Sequence, residues 1–168
     1  PVTEAITGVD LVEWQIRVAG GEPLPARQED LAIHGHAFEA RLYAEDPANG
    51  FLPATGLLEH LSFSDTARND TGVANGDAIS PYYDPMIAKV ITHGPDRDSA
   101  RLALLKAMRG THVVGTATNA DFLVALTAHE GFSAGDFDTG LIARDLDQLV
   151  AGAGPGTAHL AFAAIAAL

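Results

Sequence analysis

Cysteine is absent from the 168 residues, which excludes disulfides, thiol nucleophiles and zinc–thiolate sites and fits a reducing compartment. Lysine is nearly absent. Only Lys89 and Lys106 occur, and neither follows a glycine-rich turn, so no nucleotide cradle is legible. Positive charge of any kind is scarce: Lys plus Arg number 10 against 22 Asp plus Glu, a formal net charge of −12. Such a chain repels phosphate backbones and anionic lipid, which argues against a nucleic-acid or membrane-surface role. An anionic substrate must meet a local cation, not a global field. The longest apolar stretch, AHLAFAAIAAL at the C-terminal end, is far short of the roughly 20 residues that cross a bilayer. No secretory pattern is legible in the first residues.

What is present suits one domain of ordinary size, alone or with parts of its neighbours. An apolar fraction of 47% is enough for a real core. The chain begins Pro1-Val2-Thr3-Glu4 and stops inside an alanine-rich run, so it is expected to be a fragment of a longer polypeptide.

TGVDLVEWQIRVAGG reads as one helix. Thr7 and Asp10 have capping-box-like spacing, and Leu11, Trp14, Gln15 and Val18 share a face, with Val12, Ile16 and Ala19 beside it. Gly20-Gly21 supplies a left-handed stop. GHAFEARLYAEDP then alternates: Phe38, Ala40, Leu42 and Ala44 against Glu39, Arg41, Tyr43 and Glu45. On a strand this gives one apolar and one polar face. EDPANGFLPATG and ANGDAISPYYDP read as loops, GLLEHLSF, ARNDTGV, MIAKVITHG and THVVGT as strands. GPDRDSARLALLKAMRG is a helix capped by Asp96 or Asp98, with Leu102, Leu105 and Met108 as its buried stripe. TNADFLVALTAHEGF is a helix capped by Thr118 or Asn119, and DTGLIARDLDQLV a final short helix. The order, helix, then antiparallel-type strands, then helices, predicts an α+β fold.

The candidate sites are few. Arg41 stays charged at every relevant pH, so its chemistry is to hold an anion or to stabilise negative charge that develops in a reaction. The plain alternative is a surface ion pair with Glu39 or Glu45. His34 and His36 lie two apart with no third ligand nearby, so they read as surface or hydrogen-bonded histidines. GAGPG lacks the Lys-Ser/Thr ending of a phosphate loop and reads as a linker. SPYYDPMIAK places Tyr82, Tyr83 and Asp84 before a strand. It reads either as a turn whose tyrosines pack, or as an interface where Asp84 meets a partner's arginine.

PVTEAITGVDLVEWQ, GHAFEARLYAEDP, GFLPATG, DTGV, ISPYYDPMIAKVITHG and TNADFL occur in an order that resembles the C-terminal part of the biotin carboxylase component of biotin-dependent acyl-CoA carboxylases. GHAFEARLYAEDP and WQIRVAGGEPLP are most similar to 3-methylcrotonyl-CoA carboxylase α subunits, with the propionyl-, acetyl- and geranyl-CoA enzymes left open. The resemblance implies an ATP-grasp subunit that activates bicarbonate with ATP and carboxylates biotin. It implies a mainly antiparallel sheet with flanking helices. It also implies that Arg41 is the arginine that stabilises the enolate-like ureido oxygen of biotin, with Glu39 orienting it, and that Asp84 lies near a dimer interface.

The family's catalytic R-x-Q-V-E-H motif, its ATP-binding lysines and its magnesium carboxylates belong upstream of Pro1. Biotin would arrive on a carrier domain outside this chain, while ATP and Mg would be held by the upstream portion. The expected partners are that ATP-grasp portion, the biotin carrier domain, a carboxyltransferase β subunit and a second biotin carboxylase copy. The expected organisation is residues 1–30 as the tail of the ATP-grasp portion, 31–148 as the biotin carboxylase C-terminal domain, and 149–168 as a linker with the first helix of a downstream domain. The chain alone is expected to be inactive, and its parent cytoplasmic, or in the mitochondrial matrix if eukaryotic. The rival expectation is a stand-alone, non-catalytic binding or assembly module with the same fold.

Overall fold

The alternating run around Arg41 forms β1 (His36–Tyr43), whose apolar side chains Ala40 and Leu42 are buried while Arg41 is exposed. The computed structural model describes residues 1–152 and, beyond them, Thr157 and Ile165. The expected linker and alanine-rich helix therefore lie, past Gly152, outside the described residues. Two helices precede β1: α1 (Val2–Thr7) and α2 (Leu11–Ala19). After it come the short strands β2 (Glu45–Asp46), β3 (Leu52–Pro53), β4 (Gly56–Leu57), β5 (His60–Ser62), β6 (Arg68–Thr71) and β7 (Ala78–Ile79), then the long β8 (Met86–Gly94). The remaining described elements are α3 (Arg97–Arg109), β9 (His112–Val114), α4 (Ala120–Ala128), α5 (Glu130–Ala134) and α6 (Leu141–Leu149), with short 3₁₀ turns at Gln28–Asp30 and Pro47–Asn49.

The main sheet has the order β1-β8-β6, and all described strand pairs are antiparallel, as an α+β fold requires. β1 and β8 run in register from His36 opposite Gly94 to Leu42 opposite Ala88, and the register then slips so that Tyr43 faces Met86. Gly35, just before β1, has φ 67, and a Cβ there would collide with the Gly94 carbonyl. Only glycine allows this approach. One face of the sheet packs on α3. The core joins Ala40, Leu42 and Ala44 to Ala88 and Val90 of β8 and to Leu104, Ala107 and Met108 of α3, with Leu58, Leu61 and Ile79 closing it.

Five local expectations change. The helix expected over residues 7–21 is α2 and starts only at Leu11, because Gly8 takes the left-handed conformation (φ 72) and ends a separate helix, α1, that was not expected. Thr7 and Asp10 form no capping box: Thr7 Oγ1 donates back to the Thr3 carbonyl at 2.6 Å, and Asp10 itself caps α2 by accepting from Glu13 N at 2.9 Å. On α3, Asp96 is the cap and accepts from Ser99 N at 2.8 Å. The buried stripe there is Ala100, Leu104, Ala107 and Met108; Leu102 is exposed and Leu105 half-buried. The small alanines, which hydropathy alone ranks low, are what let α3 approach the sheet. TNADFLVALTAHEGF also splits, at His129, whose extended ψ of 139 ends α4 and whose Nδ1 accepts from Gly131 N to start α5. The two expected loops carry the short strands β2, β3 and β7.

Candidate functional site

On β1 the polar face presents Glu39, Arg41 and Tyr43 in sequence. Arg41 Nε donates to Glu39 Oε1 at 3.1 Å. The Glu39 side chain is 14% exposed and that of Arg41 62%, so a nearly buried carboxylate holds the base of an open guanidinium. Glu39 and then the Tyr43 phenol push the guanidinium pKa further up, so its charge is fixed. Nη1 and Nη2 of Arg41 make no hydrogen bond or ion pair of ordinary geometry among the described residues, with the Tyr43 phenol standing beside the guanidinium, and both can turn to an anionic oxygen.

The face extends across the sheet. Lys89 stands directly opposite Arg41 and Asp70 opposite Lys89, while Arg68 stands in the row of Glu39 and Ile91. Directly paired residues share a face. Arg68 is already matched: it forms a fork with Asp70 at 2.9 and 2.7 Å and lies 3.7 Å from Glu4 of α1. Asp70 is accordingly held below the usual carboxylate range, first by its bond to Arg68. Arg41 and Lys89 are thus the cations of this face whose terminal nitrogens make no hydrogen bond or ion pair among the described residues, and Arg41, 62% exposed, is the one that offers a planar fork.

The backbone of β1 is fastened on both edges near Arg41. β8 pairs with one edge, and Asn119 covers the other. Asn119 Nδ2 donates to the Arg41 carbonyl at 3.1 Å, Asn119 Oδ1 accepts from Tyr43 N at 2.9 Å, and Asn119 N donates to the Tyr43 carbonyl at 3.1 Å. Asn119 is buried. Its side chain makes no cap bond at the start of α4, contrary to the capping role that its position suggests. Of the two caps the sequence offers, Thr118 Oγ1 accepts from Ala120 N at 3.4 Å, while Asn119 grips a strand that is 76 residues away for one of these bonds, a distance no local pattern shows.

Asp84 sits in a turn and accepts from Met86 N at 2.9 Å. Tyr82 and Tyr83 are 87% and 85% exposed, so the reading in which these tyrosines pack within the domain is corrected. Two adjacent exposed tyrosines leave the turn as a candidate contact surface. The turn abuts the end of β1, where Ala44 N donates to the Pro85 carbonyl at 2.9 Å, and Asp84 adds to the burial that raises the Glu45 pKa. His34 and His36 do not converge; the His34 carbonyl instead bonds His93 Nε2 at 2.8 Å. Among the described residues no cluster of three or more His, Cys, Asp or Glu could hold a metal ion. None of their helices is long and apolar enough to cross a membrane.

Residues 39–144 match the biotin carboxylase C-terminal domain family, and residues 1–27 match the carbamoyl-phosphate synthase L chain ATP-binding domain. The first match spans more than half of the chain and contains Arg41, Asp84 and Asn119, so the chain belongs to the biotin carboxylase C-terminal domain family. Among its relatives, the mitochondrial methylcrotonoyl-CoA carboxylase subunit alpha of Dictyostelium discoideum is 50% identical over 158 residues, which is 92% of this chain and 23% of that subunit. Two solved structures carry the same fold. The biotin carboxylase subunit of pyruvate carboxylase superposes with a TM-score of 0.88 at 35% identity, covering 92% of this chain and 34% of that one. The biotin carboxylase domain dimer of the Hydrogenobacter thermophilus 2-oxoglutarate carboxylase, in complex with MgADP, ADP and bicarbonate, gives 0.87 at 35% identity, covering 92% of this chain and 34% of that one. The chain thus spans about a quarter to a third of these proteins.

Proposed function

We propose that this chain is the C-terminal portion of the biotin carboxylase part of an acyl-CoA carboxylase α subunit of the methylcrotonyl-CoA type, and that Arg41 holds the ureido oxygen of biotin. The observation that carries the reading is the state of Arg41: strand-borne, anchored through Nε by a nearly buried Glu39, and with both terminal nitrogens unpartnered among the described residues. That donor fork fits an oxygen that gains negative charge. When bound, biotin supplies the ureido nitrogen that takes up the carboxyl group. The protein's part here is to keep the Arg41 guanidinium aimed, with Glu39 accepting from its Nε. Biotin comes from a carrier domain outside this chain.

Residues 1–30 belong with an ATP-grasp portion that supplies the ATP and Mg sites, residues 31–148 form the C-terminal domain, and 149–168 lead toward a downstream domain. The match of residues 1–27 to an ATP-binding domain supports the first of these assignments. The remaining partners are a carboxyltransferase β subunit and a second biotin carboxylase copy. For the latter, Asp84 and the exposed Tyr82 and Tyr83 form the contact, a reading favoured by their exposure and by the dimer of the 2-oxoglutarate carboxylase domain. The chain alone has no biotin carboxylase activity. The parent works in the cytoplasm, or in the mitochondrial matrix in a eukaryote; the mitochondrial location in the name of the Dictyostelium relative supports the second case.

Arg41→Lys in the complete subunit tests the reading. It keeps the charge but loses the planar fork. Biotin carboxylation is expected to fall about 10²–10³-fold, with ATP binding unchanged. Normal turnover would overturn the assignment of Arg41.

A further inference from the structure

The carboxamide of Asn119 takes the place of a neighbouring strand on the free edge of β1. In an antiparallel ladder the carbonyl of one residue and the N–H two positions on point to the same side. On the edge away from β8 these are the Arg41 carbonyl and the Tyr43 N–H. Asn119 supplies a donor to the first at 3.1 Å and an acceptor to the second at 2.9 Å, and its own N–H meets the Tyr43 carbonyl at 3.1 Å. A primary amide offers donor and acceptor side by side in this fork without having to take up a proton. The grip falls where the β1–β8 register slips, between Leu42 and Tyr43, and where the strand is therefore least defined by its ladder. Glu39 fixes the guanidinium of Arg41, and the backbone beneath it is held by β8 on one edge and Asn119 on the other.

We infer that Asn119 is a positioning residue for Arg41, setting the backbone angle from which the guanidinium reaches the ureido oxygen. The inference rests on the biotin-stabilising reading of Arg41. Asn119 touches neither the guanidinium nor the exposed face, so it acts through the strand. The head of an arginine lies several bonds from its Cα, so a small backbone rotation becomes a displacement of the donors. A misplacement of about 1 Å at a reacting group lowers a rate by about 100-fold.

The test uses the complete subunit and four variants: Asn119→Asp, Asn119→Gln, Arg41→Ala and the double variant Asn119→Asp/Arg41→Ala. Aspartate matches the shape of asparagine but sets an oxygen against the Arg41 carbonyl; glutamine keeps both functions but moves them by one methylene. Asn119→Asp is expected to lower biotin carboxylation about 100-fold with ATP binding unchanged, and Asn119→Gln by less. On the Arg41→Ala background, Asn119→Asp is expected to cause no further loss, because the residue acts only through Arg41. An equal loss on both backgrounds would make Asn119 merely structural and overturn the inference, as would a wild-type rate in Asn119→Asp. If Asn119→Asp does not fold, the same cycle is run with Asn119→Gln. If Arg41→Ala alone turns over normally, the reading of Arg41 fails. That result is distinct from the case in which Arg41→Ala is impaired and Asn119 variants are not.

Discussion

At the scale of single residues, the site is a contrast between two ends of one guanidinium. Nε of Arg41 is committed to Glu39, while the terminal nitrogens are open among the described residues. The two readings of Arg41 from sequence, surface ion pair or anion holder, are therefore not exclusive: the ion pair to Glu39 is present, and it leaves the useful donors unspent. Glu39→Gln removes the charge but keeps an acceptor. A charge-assisted hydrogen bond is roughly twice as strong as a neutral one, so a partial loss of biotin carboxylation, about tenfold, is expected, below that of Arg41→Lys. A loss as large as that of Arg41→Lys would give Glu39 a role beyond orienting.

Glu45, on the same side of the chain, makes a pH prediction. Burial first, and then the charge of Asp84, raise its pKa in the folded protein above the usual 4.5. The folded state therefore disfavours the ionised form, and stability relative to the protonated form falls as pH rises through the folded pKa. Glu45→Gln should gain on the wild type between about pH 4 and 6, read as the difference in urea midpoint at each pH. A difference independent of pH would remove the effect. The alternation that placed Arg41, Glu39 and Glu45 was legible because period two is a local property. Asn119 was not, because its partners on β1 lie 76 and 78 positions away, and a buried amide beside a helix start looks the same in sequence whether it caps or clamps.

At the scale of elements, α3 organises the helical layer with two arginines. Arg97 donates to the Ser133 and Phe132 carbonyls at 2.8 and 2.6 Å, closing the C-terminal end of α5, and lies 5.4 Å from the Phe38 ring of β1. Arg101, 8% exposed, donates to Asp98 Oδ1 at 3.0 and 2.6 Å and to the Thr127 carbonyl near the end of α4 at 3.2 Å. Each arginine thus satisfies carbonyls that a helix end leaves open. Arg101→Met keeps much of the apolar stem and loses the cap, leaving the Thr127 carbonyl unmatched. Urea unfolding of the chain should show a loss of about 1–3 kcal/mol. No change in midpoint would mean that water replaces the guanidinium. The start of α3 was legible from Asp96, but its buried face was not. Hydropathy favoured Leu102 and Leu105, and close packing on the sheet selected Ala100 and Ala107. Periodicity locates a helix; which stripe goes inward depends on how near the neighbouring layer stands.

At the scale of the whole molecule, one apolar surface stands apart from the core. α2 has no buried residue, and Val12, Ile16 and Leu24 are 60%, 69% and 70% exposed, with Leu11 at 40% and Val18 at 44%. The amphipathic pattern of α2 was legible in the sequence, yet among the described residues its apolar side meets no partner of comparable size. A pattern of that kind states that a helix buries one face, not which body covers it. The match of residues 1–27 to an ATP-binding domain supplies the body under the proposed reading: the rest of the ATP-grasp portion covers this face in the complete subunit. The isolated chain should then associate weakly through α2, against the repulsion of its net charge of −12. Of the two terms that act here, only one depends on salt. Added salt screens the charge repulsion and leaves the apolar attraction in place, so association should grow between about 10 mM and 500 mM salt. Sedimentation velocity measures it. Ile16→Glu and Val12→Glu together place charge on the apolar side without touching the core, and should return the chain to monomer with its thermal midpoint unchanged. A monodisperse wild-type monomer at high concentration and high salt would mean that this face is too small or too divided to drive contact, and the assignment of α2 to a covering ATP-grasp body would lose its physical support.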